Sequence, residues 1–160
     1  MKGDPKLLET LNTLLADELT AINQYMVHSE MCANWGYQRL HERIEHRAIQ
    51  EMKHAEMLIA RILFLEGMPK VDKLNRVRVG PDIGKQLAND LQAELGAVKM
   101  YNAAVKLADQ VKDAPTRNLL EQIARDEDAH IDWLEEQQDQ IQQMGLEVYL
   151  SAQVKKEEPS

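Results

Sequence analysis

Apolar residues recur at Leu7, Leu8, Leu11, Leu14, Leu15, Leu19, Ile22, Tyr25 and Met26, the three- and four-residue spacing of one face of an α-helix. Asp4-Pro5 reads as N-cap and first helical residue, and Gly36 as a left-handed end, so a first helix is expected over 5–34. The same spacing through Ile44, Ala48, Ala55, Leu58, Ile62 and Leu65 predicts a second helix over 38–66, stopped by Gly67 and Pro69. Leu87, Leu91, Val98, Tyr101 and Val105 mark a third over 82–111. Asp113 and Pro115 open a fourth, which Leu119, Ile123, Leu134 and Ile141 carry to 144, where Gly145 ends it. A short fifth helix is expected at 147–153, then a polar tail through Ser160.

The connections set the topology. The joint between helices one and two is short, so those helices run antiparallel. Residues 67–82 form the one long connection, with Gly67, Pro69, Gly80 and Pro81 in it. Extended, it reaches ~50 Å, against ~42 Å for a helix of about 28 residues. It can therefore cross the whole bundle and set helix three parallel to helix two. The expectation is one all-α domain over 1–160, a four-helix bundle with a long crossover between helices two and three and a short fifth C-terminal helix.

Four acids and two histidines interrupt the apolar stripes. Glu18 and Glu94 each stand alone, whereas Glu51 with His54 and Glu127 with His130 form Glu-x-x-His steps. A spacing of three puts carboxylate and imidazole on one helix face, about a turn apart. One such step says little, because both residue types suit solvated faces. An offset of 76 residues, however, carries Glu18 onto Glu94, Glu51 onto Glu127 and His54 onto His130, and with them Tyr25 onto Tyr101, Leu15 onto Leu91 and Leu58 onto Leu134. One Glu from each of two helices and Glu-x-x-His from each of the other two is the dinuclear carboxylate arrangement of helix bundles.

Composition narrows the chemistry. Of the 160 residues, 44% are hydrophobic and 29% charged, which fits a folded chain, and seven Gly with five Pro favour helices over sheet. The lone Cys32 excludes an internal disulfide and a four-cysteine iron centre, and suits a reducing cytoplasm. A net charge of -8 argues against nucleic acid as a partner. No apolar run reads as a signal peptide or a membrane span.

Four carboxylates and two imidazoles make a hard, oxygen-rich shell, suited to iron or manganese rather than structural zinc. Glu51 and Glu127 are placed to bridge two ions. Glu18 with His54, and Glu94 with His130, would then be terminal ligands of one ion each, a pairing that spacing leaves open. Two irons so held can each give one electron to O2 or H2O2, the chemistry of a ferroxidase. Unloaded, the same acids repel, so raised carboxyl pKa values and stabilisation by metal are expected. Tyr25 and Tyr101, two turns beyond Glu18 and Glu94, can hydrogen-bond a ligand carboxylate, lend an electron, or simply fill core. Asp90 can orient a histidine. His46 is a further single candidate for iron. His28, His41 and Trp133 read as hydrogen-bonded or packing residues.

Met1-Lys2-Gly3-Asp4, Glu18-Leu19-x-Ala21-Ile22-Asn23-Gln24-Tyr25, Glu51-Met52-Lys53-His54-Ala55, Arg61-Ile62-Leu63-Phe64-Leu65-Glu66-Gly67, Asp126-Glu127-x-x-His130-Ile131-Asp132-Trp133-Leu134-Glu135 and Met144-Gly145-Leu146-x-x-Tyr149-Leu150 closely resemble bacterioferritin. The likeness runs over essentially the whole chain. It implies a ferritin-like subunit of a hollow 24-subunit shell built from dimers, with ferric mineral inside and a di-iron ferroxidase centre in each subunit. It also implies haem b at the dimer two-fold axis, with Met52 as axial ligand from each subunit, and a small iron–sulfur ferredoxin as electron donor for iron release. Two positions depart from the pattern. Gln50 stands where an acid often accompanies the inner-surface histidine matching His46, and Leu58 where some members carry a tyrosine. The resemblance also makes Asn34, Glu66 and Asp132 candidates for a pore between subunits. Rival readings are a storage shell without catalysis at its own site, a haem electron-transfer protein, and a rubrerythrin-like peroxidase, which the single cysteine disfavours.

Overall fold

Five helices account for most of the computed structural model, which describes residues 1–155; the expected polar tail lies, beyond Lys155, outside the described residues. They are α1 (Pro5–Asn34), α2 (Gln38–Phe64), α3 (Ile83–Gln110), α4 (Ala114–Met144) and α5 (Leu146–Ser151). Three of the starts are capped by aspartate. Asp4 accepts from the amides of Lys6 and Leu7, Asp82 from Lys85, and Asp113 from Thr116.

The ends are less uniform. Gly36 takes the left-handed conformation (φ 84°) after α1, and the Tyr37 amide bonds back to the Cys32 carbonyl at 2.9 Å. Helix α2 stops at Phe64, two residues before the expected end. There the left-handed residue is Glu66 (φ 61°), not Gly67. Gly67 is needed for space instead, since a Cβ on it would lie 2.6 Å from Leu8 Cδ2. After α3 the same position falls to Lys112 (φ 61°). The fifth helix spans Leu146–Ser151, earlier than the expected 147–153.

Helices α1 and α2 pair along their lengths, as do α3 and α4, and α1 also packs on α3. The Gly3 amide bonds to the Leu65 carbonyl, which ties the start of α1 to the end of α2 and makes the pair antiparallel. Across the bundle, Arg61 near the end of α2 donates to Thr116 Oγ1 (2.7 Å) and Asp113 Oδ1 (3.0 Å) at the start of α4. Helix α5 covers the opposite end, with Tyr149 buried and its hydroxyl donating to Gln137 Oε1 at 2.8 Å.

The crossover between α2 and α3 is fastened to α1 by a polar stripe. Asn12 donates to the Met68 carbonyl and accepts from the Lys70 amide; Thr20 accepts from Asn75, Gln24 from Arg78, and His28 from Gly80. Positions 12, 20, 24 and 28 differ by multiples of four, so they lie along one ridge that winds gradually around the helix. The crossover therefore runs alongside α1 for about 24 Å and delivers α3 parallel to α2.

The core divides into two apolar plugs. One holds Leu7, Leu11, Leu14, Leu15, Leu58, Ile62, Leu120 and Ile123, the other Cys32, Leu40, Ile44, Ile83, Leu87, Leu134 and Tyr149. Burying each such leucine or isoleucine contributes about 1.5–3 kcal/mol. Between the two plugs lies a belt of buried charged residues.

Candidate metal centre

All six stripe-breaking residues turn inward, none more than 5% exposed. Glu18, Glu51, His54 and Glu127 come together, each offering one donor atom, and these atoms all lie within 4.8 Å of one another. His54 Nδ1 stands 3.7 Å from Glu18 Oε2, 3.7 Å from Glu51 Oε2 and 3.6 Å from Glu127 Oε1. Donor atoms so spaced are what a tetrahedrally held ion with bonds of about 2.2 Å would require. Glu18 Oε2, His54 Nδ1 and Glu127 Oε1 are buried without any hydrogen-bond partner. Such groups are costly unless something charged or polar completes them.

Glu94 and His130 lie on the other side of Glu51 and Glu127, and are joined to each other, His130 Nδ1 to Glu94 Oε1, at 3.0 Å. The expected sharing of terminal ligands therefore has a counterpart in distance: Glu18 lies beside His54, and Glu94 beside His130. Between the second pair and the two central glutamates lies Arg47. Its Nη2 is 2.6 Å from Glu51 Oε1, 2.7 Å from Glu127 Oε2 and 3.3 Å from Glu94 Oε2. Glu51 and Glu127 thus each aim one oxygen at the His54 cluster and the other at the guanidinium.

Each tyrosine serves the opposite helix. The Tyr25 hydroxyl of α1 donates to Glu94 Oε1 on α3, and the Tyr101 hydroxyl of α3 donates to Glu18 Oε1 on α1. Antiparallel packing of α1 on α3 produces this exchange. His54 is held from behind by Asp126 Oδ2, 2.8 Å from Nε2, which leaves Nδ1 facing the cluster. Asp90 also holds a histidine, but it is His28 (2.9 Å), one of the crossover-binding residues and not a member of the cluster. Trp133 stacks on His130, with ring centroids 5.8 Å apart. His46 is exposed and lines a cavity of about 190 Å³ with Arg43, Arg47, Gln50, Asp126, Ala129 and His130.

Access to the belt lies within the subunit. A cavity of about 200 Å³ is lined by Asp17, Asn75, Arg78 and Asn89 towards the crossover and by Glu18, Glu51, Glu94 and Glu127 at its floor. Asn34, Glu66 and Asp132, the candidate pore residues, are exposed and line no part of it.

Burial and the charge of Glu18 push the Glu51 carboxyl well above the usual carboxylate range. Burial opposes a charge on His54, but Glu18 and Glu51 outweigh it and raise the imidazole to about 10. Burial would also raise Glu94, yet His130 and Arg47 hold it below its ordinary value. His130 is lowered, chiefly by burial. A carboxyl or imidazole whose pKa rises on folding stabilises the protein below its unfolded value and loses that contribution as pH rises through its folded value. Glu51 and His54 both act in this sense, and the lowered His130 opposes them only up to its ordinary value of 6.5, so the metal-free protein should lose stability as pH rises from there to about 10. Loading with Zn(II) or Co(II) replaces the proton on His54 and screens Glu51. The resulting rise in Tm is expected to be larger at pH 8 than at pH 5, which differential scanning calorimetry would measure.

A four-helix bundle carrying a buried carboxylate–histidine belt defines a class, and residues 8–144 match the family model described as Ferritin-like domain. Within that class, the chain is 41% identical over 160 residues to bacterioferritins of Mycolicibacterium paratuberculosis and Mycobacterium avium, covering 100% of each chain. It is 38% identical over 149 residues to that of Brucella melitensis, covering 93% of this chain and 92% of the relative. The chain belongs to the bacterioferritin family.

Sequence reasoning missed two residues of the belt. Arg47 lies three residues after Ile44 and four before Glu51, so its place on the buried stripe was open to inspection. Asp126 adjoins Glu127 but sits on α4, and only packing brings it behind a histidine of α2.

Proposed function

We propose that this protein stores iron and oxidises Fe(II) to Fe(III), with O2 or H2O2, at a di-iron centre inside each subunit. Glu18, Glu51, His54 and Glu127 hold one iron, and Glu51, Glu94, Glu127 and His130 the other. The observation that carries the reading is the set of buried, unpartnered donor atoms of Glu18, His54 and Glu127 facing one point at ion-binding distance. Fe(II) is the substrate and supplies the electrons. The protein's residues bind it, orient it and keep the site compact. Asp126 fixes the ring of His54; Tyr25 and Tyr101 fix the carboxylates of Glu94 and Glu18. Glu51 and Glu127, with oxygens turned both ways, bridge the two positions. The test is the initial rate of aerobic Fe(II) oxidation in ligand variants.

The product is stored as mineral within a homo-oligomeric shell of 24 subunits in the cytoplasm. A subunit of 18.3 kDa gives such a shell a mass of several hundred kilodaltons, which size-exclusion chromatography with light scattering would read. Met52 is 45% exposed on α2, one position past Glu51 and turned away from the belt. Ile49 one turn earlier and Met26 on α1 are also exposed. With an exposed thioether, Met52 is the residue that would hold haem b where two subunits meet. Haem bound there supplies one-electron transfer, and an iron–sulfur ferredoxin is the proposed donor for iron release. Met52→Leu is expected to remove the low-spin haem spectrum while leaving assembly and Fe(II) oxidation intact. A wild-type protein that stays colourless after haem supplementation would overturn the assignment.

One observation favours the rival reading of storage without catalysis. The guanidinium of Arg47 lies where the second iron would bind.

A further inference from the structure

We infer that Arg47 is a built-in counter-cation that occupies the second ion position of the unloaded centre, so that the two ions load in order. The inference rests on the metal-centre reading above and concerns what this chain adds to it. Nη2 is within 3.3 Å of one oxygen each of Glu51, Glu94 and Glu127, three of the four residues assigned to the second ion. The fourth, His130, is bonded to Glu94 from the side. The position facing His54 has no such occupant: there the donor atoms of Glu18, His54 and Glu127 are unpartnered. The two halves thus differ in charge: three donor atoms of the His54 half face one another without a hydrogen-bond partner, whereas the carboxylates of the other half face a fixed positive charge, Glu51 Oε1 by ion-pair contact alone. In the first half a divalent ion displaces only the proton on His54. In the second it must displace a buried guanidinium from three carboxylates.

The structure also supplies a place for the displaced group. Nη1 already donates to Gln50 Oε1 at 2.7 Å and to the Asp126 carbonyl at 3.4 Å, both at the edge of the cavity that His46 and Arg43 line. Rotation of the end of the Arg47 side chain about its terminal torsions exchanges the three carboxylates for Gln50, the Asp126 carbonyl and this cavity. Gln50 is neutral and can accept the guanidinium without holding it there, so the return of Arg47 when the second ion leaves is open as well.

The test is equilibrium binding of redox-inert ions to the metal-free, assembled protein. Zn(II) is titrated calorimetrically, and Co(II) by its visible absorption. Wild type should bind one ion per subunit tightly and a second on the order of 100-fold more weakly, the scale of one displaced unit charge in a partly screened interior. Arg47→Gln should bring the second step to within about 10-fold of the first. Arg47→Lys, which keeps the charge, should preserve the separation in part. Two ions bound by wild type with equal affinity would overturn the inference, whether or not the variants fold. So would an Arg47→Gln protein of normal assembly size whose isotherm matches wild type. Absence of stoichiometric binding in wild type and in Arg47→Gln alike would instead overturn the metal-centre reading beneath it.

Discussion

Glu127→Ala is expected to remove the fast phase of Fe(II) oxidation, with the initial rate falling at least about 100-fold. Loss of a residue that merely supports a metal ligand costs about 10–100-fold, and Glu127 does more than support one. Its Oε1 is a donor of the His54 cluster and its Oε2 lies on Arg47 in the second position. Alanine therefore takes a ligand from both ions at once and leaves Arg47 with Glu51 and Glu94. The fold should persist, because the variant removes a buried charge from between two intact apolar plugs. Asp128→Ala, at the exposed neighbouring position, is the control and should oxidise Fe(II) at the wild-type rate. Absorbance of the ferric product after aerobic mixing measures both. A Glu127→Ala protein as fast as wild type would leave storage without catalysis as the function.

His28→Ala should destabilise the protein by about 3 kcal/mol, the scale for orphaning a buried partner of a charged group. The ring sits fully buried between two elements. Its Nδ1 lies 2.9 Å from Asp90 Oδ1, and its Nε2 accepts from the Gly80 amide at 2.9 Å. Alanine leaves Asp90 with only the Gln24 amide and leaves the Gly80 N–H without its acceptor. Gly80 cannot settle elsewhere easily, since even a Cβ at that position would lie 2.4 Å from the Gln86 amide nitrogen. Denaturant unfolding at fixed protein concentration gives the free energy. Hydrogen exchange at Gly80 and Arg78 locates the damage, and it should speed up there before the rest of the bundle opens. Unchanged exchange at those amides would show that His28 does not fasten the crossover.

The six inward residues were legible because two repeats of one pattern share an offset, which a single Glu-x-x-His does not offer. Its partners were less so. Asp90 was a reasonable acid to place behind a histidine, being one turn from Glu94, but α3 presents it to His28 of α1. The acid that reaches His54 is Asp126, and nothing in local spacing connects them. Gly67 carried the signal of a helix stop, yet the left-handed turn fell on Glu66 and the glycine answered a close approach by Leu8. The residues that fasten the crossover, Asn12, Thr20, Gln24 and His28, did not stand out as a set in the sequence, because their meaning depends on a crossover whose path no periodicity describes.

The chain by itself determined the helices, their caps, the order of the bundle and the six inward residues. These follow from rules that act within one helix: apolar spacing, capping chemistry and the shared face of residues three or four apart. Only the tertiary structure decided which tyrosine meets which glutamate, which acid steadies His54, and that a guanidinium from α2 lies among three carboxylates of three helices. Those contacts depend on how faces of separate helices meet and on where a long, rotatable side chain comes to rest. Periodicity along one helix carries no information about either.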